Sequence, residues 1–233
     1  MLPQVAKLRG IVLDFLFPRW CVGCGREGDF ICYSCRQSLL RIVPPVCPRC
    51  GRPQPGGILC PHCVSWQAEI AGIRSPFQFD GVIKRAVYQL KYGNIRALAQ
   101  SLAELLQDYL LTYPVPVEVL VPVPLHQKRL RERGYNQSVL LAKELGKLVK
   151  LPVVDNCLVR LRHTPPQVRT ATVMERQSNV ADAFTCRDSR LRNKQVLLID
   201  DVSTSGATLD ACATGLKAAG ATAVWGLALA REI

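Results

Sequence analysis

The residues best suited to chemistry lie in one stretch, 196–208. Four apolar residues, 196–199, lead directly into two adjacent acids, Asp200 and Asp201. A loop of small and hydroxyl residues comes next: Thr204, Ser205, Gly206, Ala207 and Thr208. Backbone N–H groups in such a loop and at a helix N-terminus bind phosphate, and parallel sheets bind ligands beyond the carboxyl ends of their strands. A plain N-cap would not explain two repelling carboxylates at the end of an apolar strand, so the stretch predicts a sugar-phosphate site.

A second strand end offers a place for another anion. The strand predicted over 118–123, apolar after Glu118, enters a tight backbone loop that could grip pyrophosphate: Pro122, Val123, Pro124 and Leu125. Four basic residues follow: Lys128, Arg129, Arg131 and Arg133. The next helix is opened by Gly134, Tyr135, Asn136 and Gln137, and cations beside a helix N-terminus suit an anion. Tyr135, Asn136 and Gln137 are therefore candidate ligand contacts as well. The alternative for the basic residues is an ordinary solvated face.

The polar segment 160–167 has the composition of a lid that closes over a bound ligand. Arg162, Thr164 and Gln167 are its candidate ligand contacts, whereas His163 is expected to be a surface residue. Arg133 and Arg162 are the candidate catalytic residues. Lys91 either reaches the base side of the pocket or is an ordinary surface lysine.

Eight of the eleven cysteines form four Cys-x-x-Cys pairs before residue 64. They are Cys21/Cys24, Cys32/Cys35, Cys47/Cys50 and Cys60/Cys63. Two such pairs complete a tetrahedral zinc site, so four predict two structural Zn²⁺ ions. Consecutive pairs are the natural partners, although a crossed arrangement stays open. Four thiolates would also suit an iron–sulfur cluster, while a disulfide framework belongs with secreted chains.

The bulk composition indicates a folded, basic protein. The 233 residues are 48% hydrophobic and 21% charged, with a formal net charge of +12. Residues 1–67 hold 8 basic and 3 acidic side chains, and residues 125–176 hold 11 and 4. A polyanionic partner is therefore plausible, but 6% aromatic residues argue against extensive base-stacking platforms.

Apolar residues at helical spacing in 1–20 predict a helix that packs on the rest of the chain, with a membrane-surface helix as the weaker alternative. No secretory pattern or membrane-spanning run is expected. We predict a helix and double zinc ribbon over residues 1–67 and a second domain over 68–233. In the latter, strands at 73–79, 118–123, 153–161, 196–199 and 222–230 alternate with helices at 82–92, 95–111, 135–150 and 207–219. This alternation predicts an α/β fold with a mostly parallel sheet.

The sequence resembles a known family at several motifs. The order from Asp200 to Thr208 resembles the signature of type I phosphoribosyltransferases. Residues 16–21, 90–92, 121–125, 131–137 and 162–167 resemble the ComF family, so the likeness covers nearly the whole chain. In the phosphoribosyltransferases the acids hold the ribose hydroxyls of phosphoribosyl pyrophosphate, and the loop holds its 5′-phosphate.

The resemblance to the ComF family implies a cytoplasmic protein of DNA uptake and natural transformation. It also implies binding of phosphoribosyl pyrophosphate with Mg²⁺, and of single-stranded DNA. Two alternatives stay open. One is an active phosphoribosyltransferase on a nucleobase-like acceptor, although the segment after Thr208 leaves room for only a helix and a strand and no acceptor hood. The other is a scaffold whose zinc ribbons dock a competence helicase or a recombination protein.

Overall fold

The computed structural model describes residues 19–161, 184–186 and 188–233. The helix predicted within residues 1–20 falls almost entirely outside this range, as do Arg162, His163, Thr164 and Gln167 of the predicted lid. The described chain begins with a cysteine-rich module of turns and short helices. Its helices are α1 (Tyr33–Gln37), a 3₁₀ turn (Pro55–Gly57) and α2 (Pro61–Val64).

A five-stranded parallel sheet forms the centre of the molecule. Its strands are β1 (Gly72–Arg74), β2 (Phe77–Gln78), β3 (Val119–Pro122), β6 (Gln195–Ser203) and β7 (Ala223–Arg231). The strand order is β1-β7-β6-β3, and β2 pairs with β7 beyond the end of β1. The two remaining described strands, β4 (Leu158–Arg160) and β5 (Phe184–Cys186), form a separate antiparallel pair.

Helices cover both faces of the sheet. They are α3 (Gly81–Tyr92), α4 (Leu98–Thr112), α6 (Gln137–Val149) and α7 (Ala207–Ala218). The short helix α5 (Gln127–Arg133) buries no residue. Leu197 and Ile199 of β6 belong to the core with α3, α4 and α6, whereas Val196 and Leu198 belong to the core with α7. A strand covered on both faces has no polar side, which explains the uninterrupted apolar run at the start of β6.

The predicted fold class, an α/β protein with a mostly parallel sheet and a small zinc-ribbon module, is confirmed. The boundary at residues 67 and 68 stays a prediction. The second group of four cysteines lies in the same hydrophobic core as β6 and α7, so this part of the module packs tightly on the sheet.

Three predicted strands have different limits in the structure. The strand predicted over 73–79 is two strands, because Pro76 cannot donate a backbone hydrogen bond to the ladder. In the segment 153–161, Val153 makes a single parallel bridge to Leu120, and only Leu158–Arg160 is a strand, paired antiparallel with β5. Finally, β6 does not end at Ile199 but continues to Ser203, because Val202 and Ser203 still pair with β7.

Candidate functional site

Each group of four cysteines brings its sulfur atoms together as a metal site requires. Within each group the four Sγ atoms all lie within 4.8 Å of one another. The Cys24–Cys32 and Cys50–Cys60 Sγ–Sγ distances are 3.6 and 3.7 Å. Tetrahedral zinc with Zn–S bonds of about 2.3 Å separates its sulfurs by about 3.8 Å. The two groups therefore fit two structural Zn²⁺ ions, and the pairing is consecutive rather than crossed.

Backbone geometry prepares the sulfurs for a cation. The backbone N–H groups of Gly23 and Cys32 donate to Cys21 Sγ at 3.4 Å, and that of Cys60 donates to Cys47 Sγ at 3.5 Å. The hydroxyl of Ser34 lies 3.3 Å from Cys32 Sγ, and this contact together with a backbone hydrogen bond lowers the pKa of the Cys32 thiol to about 6, whereas burial raises the pKa of the Cys35 thiol to about 12. The thiolate is the form that binds metal.

The acidic pair lies at the carboxyl end of β6. Asp201 is buried, with 3% of its surface exposed, while Asp200 is half-buried. Oδ1 of Asp200 accepts hydrogen bonds from Ser138 Oγ at 3.0 Å and from the backbone N–H of Asp201 at 2.9 Å. Burial and the neighbouring charge of Asp201 raise the pKa of Asp200 to about 7. Two carboxylates held this closely would bind a cation or hydroxyl donors readily.

Lys91 compensates the charge of the buried carboxylate. Its Nζ lies 2.6 Å from Oδ2 of Asp201, and the lysine side chain is 21% exposed. Burial lowers the pKa of Lys91, but attraction to Asp201 more than offsets burial and raises the pKa overall. The interpretation of Lys91 as an ordinary surface lysine is therefore wrong.

The loop between β6 and α7 presents small residues at a helix N-terminus. Gly206 has a left-handed backbone (φ 86°), and a Cβ there would come within 2.6 Å of Ile73 Cδ1 and 3.0 Å of Trp66 Cη2. Ser205 Oγ accepts a hydrogen bond from the backbone N–H of Ala207 at 3.3 Å. Thr204, Ser205 and Thr208 remain half-buried. The loop and the N–H groups of the first helical turn are suited to a phosphate.

Asp210, in the first turn of α7, attaches this helix to the segment that follows the zinc module. Its carboxylate accepts hydrogen bonds from Trp66 Nε1 at 3.2 Å and from the backbone N–H groups of Glu69 and Ile70 at 2.8 and 2.9 Å. These contacts hold the start of α7 against residues 66–70.

Arg231 joins the second cysteine group to the same loop. This side chain, at the end of β7, is only 1% exposed. Its Nη1 donates to the carbonyl of Cys50 at 2.6 Å and to Ser203 Oγ at 3.4 Å, and its Nη2 donates to the carbonyl of Thr204 at 3.0 Å. The guanidinium group therefore fixes a zinc-ligand turn and the start of the small-residue loop relative to each other.

The predicted pyrophosphate loop follows β3, directly beside β6. Pro122 and Val123 are buried, and Pro124 and Leu125 are half-buried. Nδ2 of Asn136 donates to the carbonyl of Val123 at 2.9 Å, while its Oδ1 accepts from the backbone N–H of Ser138 and caps α6. Asn136 thus holds this loop in place and begins the helix that brings Ser138 to Asp200.

Tyr135 and Gln137 are engaged with protein groups. The Tyr135 hydroxyl donates to the carbonyl of Leu90, and Gln137 Oε1 accepts from Arg133 Nη1. Both residues are buried. In the described part of the chain, Tyr135 and Gln137 therefore help to shape the walls of the site.

A cavity of about 610 Å³ opens beside the ion pair. It is lined by Lys91, Tyr92, Asn94, Arg129, Glu132, Arg133 and Tyr135. The Arg133 guanidinium lies over the Tyr92 ring, 5.2 Å from its centroid. The cavity is therefore predominantly basic and lies next to the acidic pair.

The structure brings the acidic pair, the small-residue loop and the predicted pyrophosphate loop to one edge of the sheet. Four residues that position these groups were not identified from the sequence: Ser138, Asp210, Arg231 and Lys91, the last of them as the partner of Asp201. Each acts on a distant part of the chain, so no local pattern marks it. In the described residues, no helix is long and apolar enough to cross a membrane.

These features define a class of protein: a parallel α/β sheet with an acidic pair and a small-residue loop at its carboxyl edge, joined to paired zinc ribbons. The family model described as a double zinc ribbon domain matches residues 12–64. The chain is 31% identical to competence protein ComFC of Bacillus subtilis over 191 residues, covering 79% of this chain and 76% of that protein. It is 30% identical to competence protein F of Haemophilus influenzae over 225 residues, covering 87% and 98%.

The chain belongs to the ComF family. DNA utilization protein YhgH of Salmonella typhi is a further relative, 29% identical over 210 residues, with 87% of this chain and 91% of that protein covered. Among solved structures, an adenine phosphoribosyltransferase matches 59% of this chain and 71% of its own, at 15% identity and a TM-score of 0.38. That score is too low to add to the family assignment, which rests on the relatives.

Proposed function

We propose that this protein binds phosphoribosyl pyrophosphate and acts in the uptake and handling of DNA. One observation supports this ligand: near the carboxyl end of β6, Asp200 contacts Ser138 and Asp201 contacts Lys91, and a phosphate-type loop at the start of α7 follows the strand. Acids and loop are thus adjacent at the edge where parallel sheets bind ligands.

Each part of the ligand has a matching group. The carboxylates of Asp200 and Asp201 would accept the ribose hydroxyls, and the backbone of residues 204–208 would hold the 5′-phosphate. The loop from Pro122 to Leu125 would take the pyrophosphate, with Arg129 and Arg133 on the same side of the cleft. Arg162, Thr164 and Gln167, which lie outside the described residues, complete the proposed contacts.

Magnesium fits this donor set. Mg²⁺ prefers carboxylate and phosphate oxygens and is commonly held by one or two carboxylates together with substrate phosphates. Asp200, whose pKa is raised beside Asp201, would gain from a neighbouring cation. When bound, Mg²⁺ would neutralise the charge of the pyrophosphate.

The role in DNA handling rests on the relatives and on charge. Two relatives are named competence proteins and another a DNA utilization protein, and the net charge of +12 suits single-stranded DNA as a partner. The zinc ribbons would offer a docking surface for a competence helicase or a recombination protein. Thiolate zinc ligands need a reducing compartment, which supports a cytoplasmic location.

Calorimetric titration tests the ligand. Phosphoribosyl pyrophosphate with Mg²⁺ should bind the wild type, and the double variant Asp200→Asn with Asp201→Asn should bind much more weakly while keeping its circular dichroism spectrum. Asp108→Asn, at an exposed position of α4, is the matched control. Equal affinity of the double variant and the wild type would remove the acidic pair from the binding site.

Transfer of the phosphoribosyl group to an acceptor is a second candidate function. It is favoured by the cavity beside Lys91 and Tyr92, which could admit a nucleobase. Incubation with Mg²⁺, phosphoribosyl pyrophosphate and a panel of bases, followed by measurement of pyrophosphate release, decides it. Release that depends on one base establishes an enzyme, whereas binding without release establishes a sensor or carrier.

A further inference from the structure

A row of three aromatic rings, two of them exposed and the ring of Phe79 half-buried, runs along helix α3. Phe79 lies just before the helix, and Tyr88 and Tyr92, four residues apart, share one helical face. The ring centroids of Phe79 and Tyr88 are 6.5 Å apart with planes inclined by 19°, and those of Tyr88 and Tyr92 are 5.7 Å apart. Tyr88 is 51% and Tyr92 71% exposed. We name Phe79, Tyr88 and Tyr92 the aromatic ladder.

Cations accompany the ladder at both ends. Lys84 Nζ lies 5.8 Å from the centroid of the Phe79 ring, and the Arg133 guanidinium lies 5.2 Å from that of Tyr92. Arg85, also exposed on α3, donates hydrogen bonds to the carbonyls of residues 22 and 23 in the first zinc ribbon. Exposed rings flanked by cations are the combination by which proteins bind the bases and phosphates of a single strand.

The ladder leads from the zinc ribbon to the acidic pair. At one end, Lys84, Arg85 and Tyr88 line a shallow cavity together with Val22 of the first ribbon. At the other end, Tyr92 lines the basic cavity beside Lys91, whose Nζ pairs with Asp201. A strand that follows the rings would therefore reach the proposed sugar-phosphate site.

We propose that the aromatic ladder binds single-stranded DNA by stacking of its bases, with Lys84 and Arg133 contacting the phosphates. The inference rests on the proposed role in DNA handling and adds the surface that performs it. Although aromatic residues are scarce in the chain as a whole, three of them lie in one row. Duplex DNA keeps its base faces stacked on one another, so the ladder selects unpaired strands.

Fluorescence anisotropy with a labelled oligothymidylate tests the ladder. Stacking on one ring changes affinity by about 5- to 150-fold, so Tyr88→Ala and Tyr92→Ala should each weaken binding within that range. Tyr92→Phe keeps the ring and should bind like the wild type. Tyr33→Ala is the matched control, because Tyr33 is 77% exposed but lies on α1 of the zinc module.

An abasic oligonucleotide of the same length separates stacking from charge. Wild type should bind it more weakly than oligothymidylate, and Tyr88→Ala should make no further difference. Wild-type affinity in both tyrosine variants, or equally strong and equally tyrosine-dependent binding of duplex DNA, would overturn the ladder. The unfolding midpoint of each variant, measured by circular dichroism, confirms that the exposed substitutions leave the fold intact.

Failure of the aromatic ladder can be distinguished from failure of the proposed function. Tyr88→Ala should keep wild-type affinity for phosphoribosyl pyrophosphate in calorimetry, because Tyr88 contacts neither the acidic pair nor the loop. If the wild type binds oligothymidylate and the Tyr88→Ala and Tyr92→Ala variants bind it equally well, the ladder alone is refuted. A wild-type protein that binds no oligonucleotide refutes both the ladder and direct DNA handling, and leaves the sugar-phosphate site standing.

Discussion

Replacement of Lys91 by Met should destabilise the protein strongly, because it leaves the carboxylate of Asp201 buried without its partner. The ion pair measures 2.6 Å, and the aspartate side chain is 4% exposed. Removing one member of a buried pair costs about 3–5 kcal/mol. Since the lysine side chain is 21% exposed, we expect a loss near the lower limit, about 3 kcal/mol in free energy of unfolding.

The loss should depend on pH. Burial and Asp201 raise the pKa of Asp200 to about 7 against the opposing effect of the Lys91 charge, so Lys91→Met should raise that pKa further. An aspartate whose pKa is higher in the folded state than its unfolded value of about 3.9 loses stability as pH rises between the two values, so the variant should lose more than the wild type. The difference between wild type and variant should be smaller at pH 5 than at pH 8.

Urea denaturation followed by tryptophan fluorescence, with zinc in excess, measures the effect. Lys143→Met is the matched control: its pair with Asp155 has a similar length of 2.7 Å, but the side chains are 53% and 35% exposed, so the loss should be about 0–1 kcal/mol. Lys91→Met combined with Asp201→Asn should recover most of the stability. If Lys91→Met costs no more than Lys143→Met, or the double variant is no more stable than Lys91→Met, the reasoning is refuted.

Three further outcomes follow from the site. Because burial and Asp201 raise the pKa of Asp200 to about 7, the wild type should lose stability relative to Asp200→Asn as pH rises from about 4 to 7, and urea titrations across that range check the sign. Arg231→Met should lower the free energy of unfolding by about 3 kcal/mol, because it leaves the buried carbonyls of Cys50 and Thr204 unpaired. The same variant should weaken both zinc retention and phosphoribosyl pyrophosphate binding. Unchanged zinc release to a chelator would contradict the role of Arg231 in joining the second cysteine group to the loop. Cys63→Ser should lower the thermal midpoint more than Cys24→Ser, because Cys63 is buried in the core of the sheet and Cys24 is exposed.

Local patterns determined much of this protein. The spacing of the cysteines determined two four-sulfur sites, because a Cys-x-x-Cys turn brings two sulfurs to one metal whatever the surrounding fold. The apolar run before Asp200 marked a strand covered on both faces, and the order of small and hydroxyl residues after it marked the loop at the start of α7. These features depend on residues that are close in the chain, so their spacing carries the information.

Tertiary structure decided which residues hold that site in place. Arg231 reaches Cys50 across 181 positions and Trp66 reaches Asp210 across 144, so neither partner leaves a local signal in the sequence. Lys91 resembles any lysine at the end of a helix until folding brings Asp201 to its ammonium group. The aromatic ladder likewise depends on the packing of α3, which leaves Tyr88 and Tyr92 exposed. Spacing along the chain determined the chemical groups, and burial and long-range contact determined how they work together.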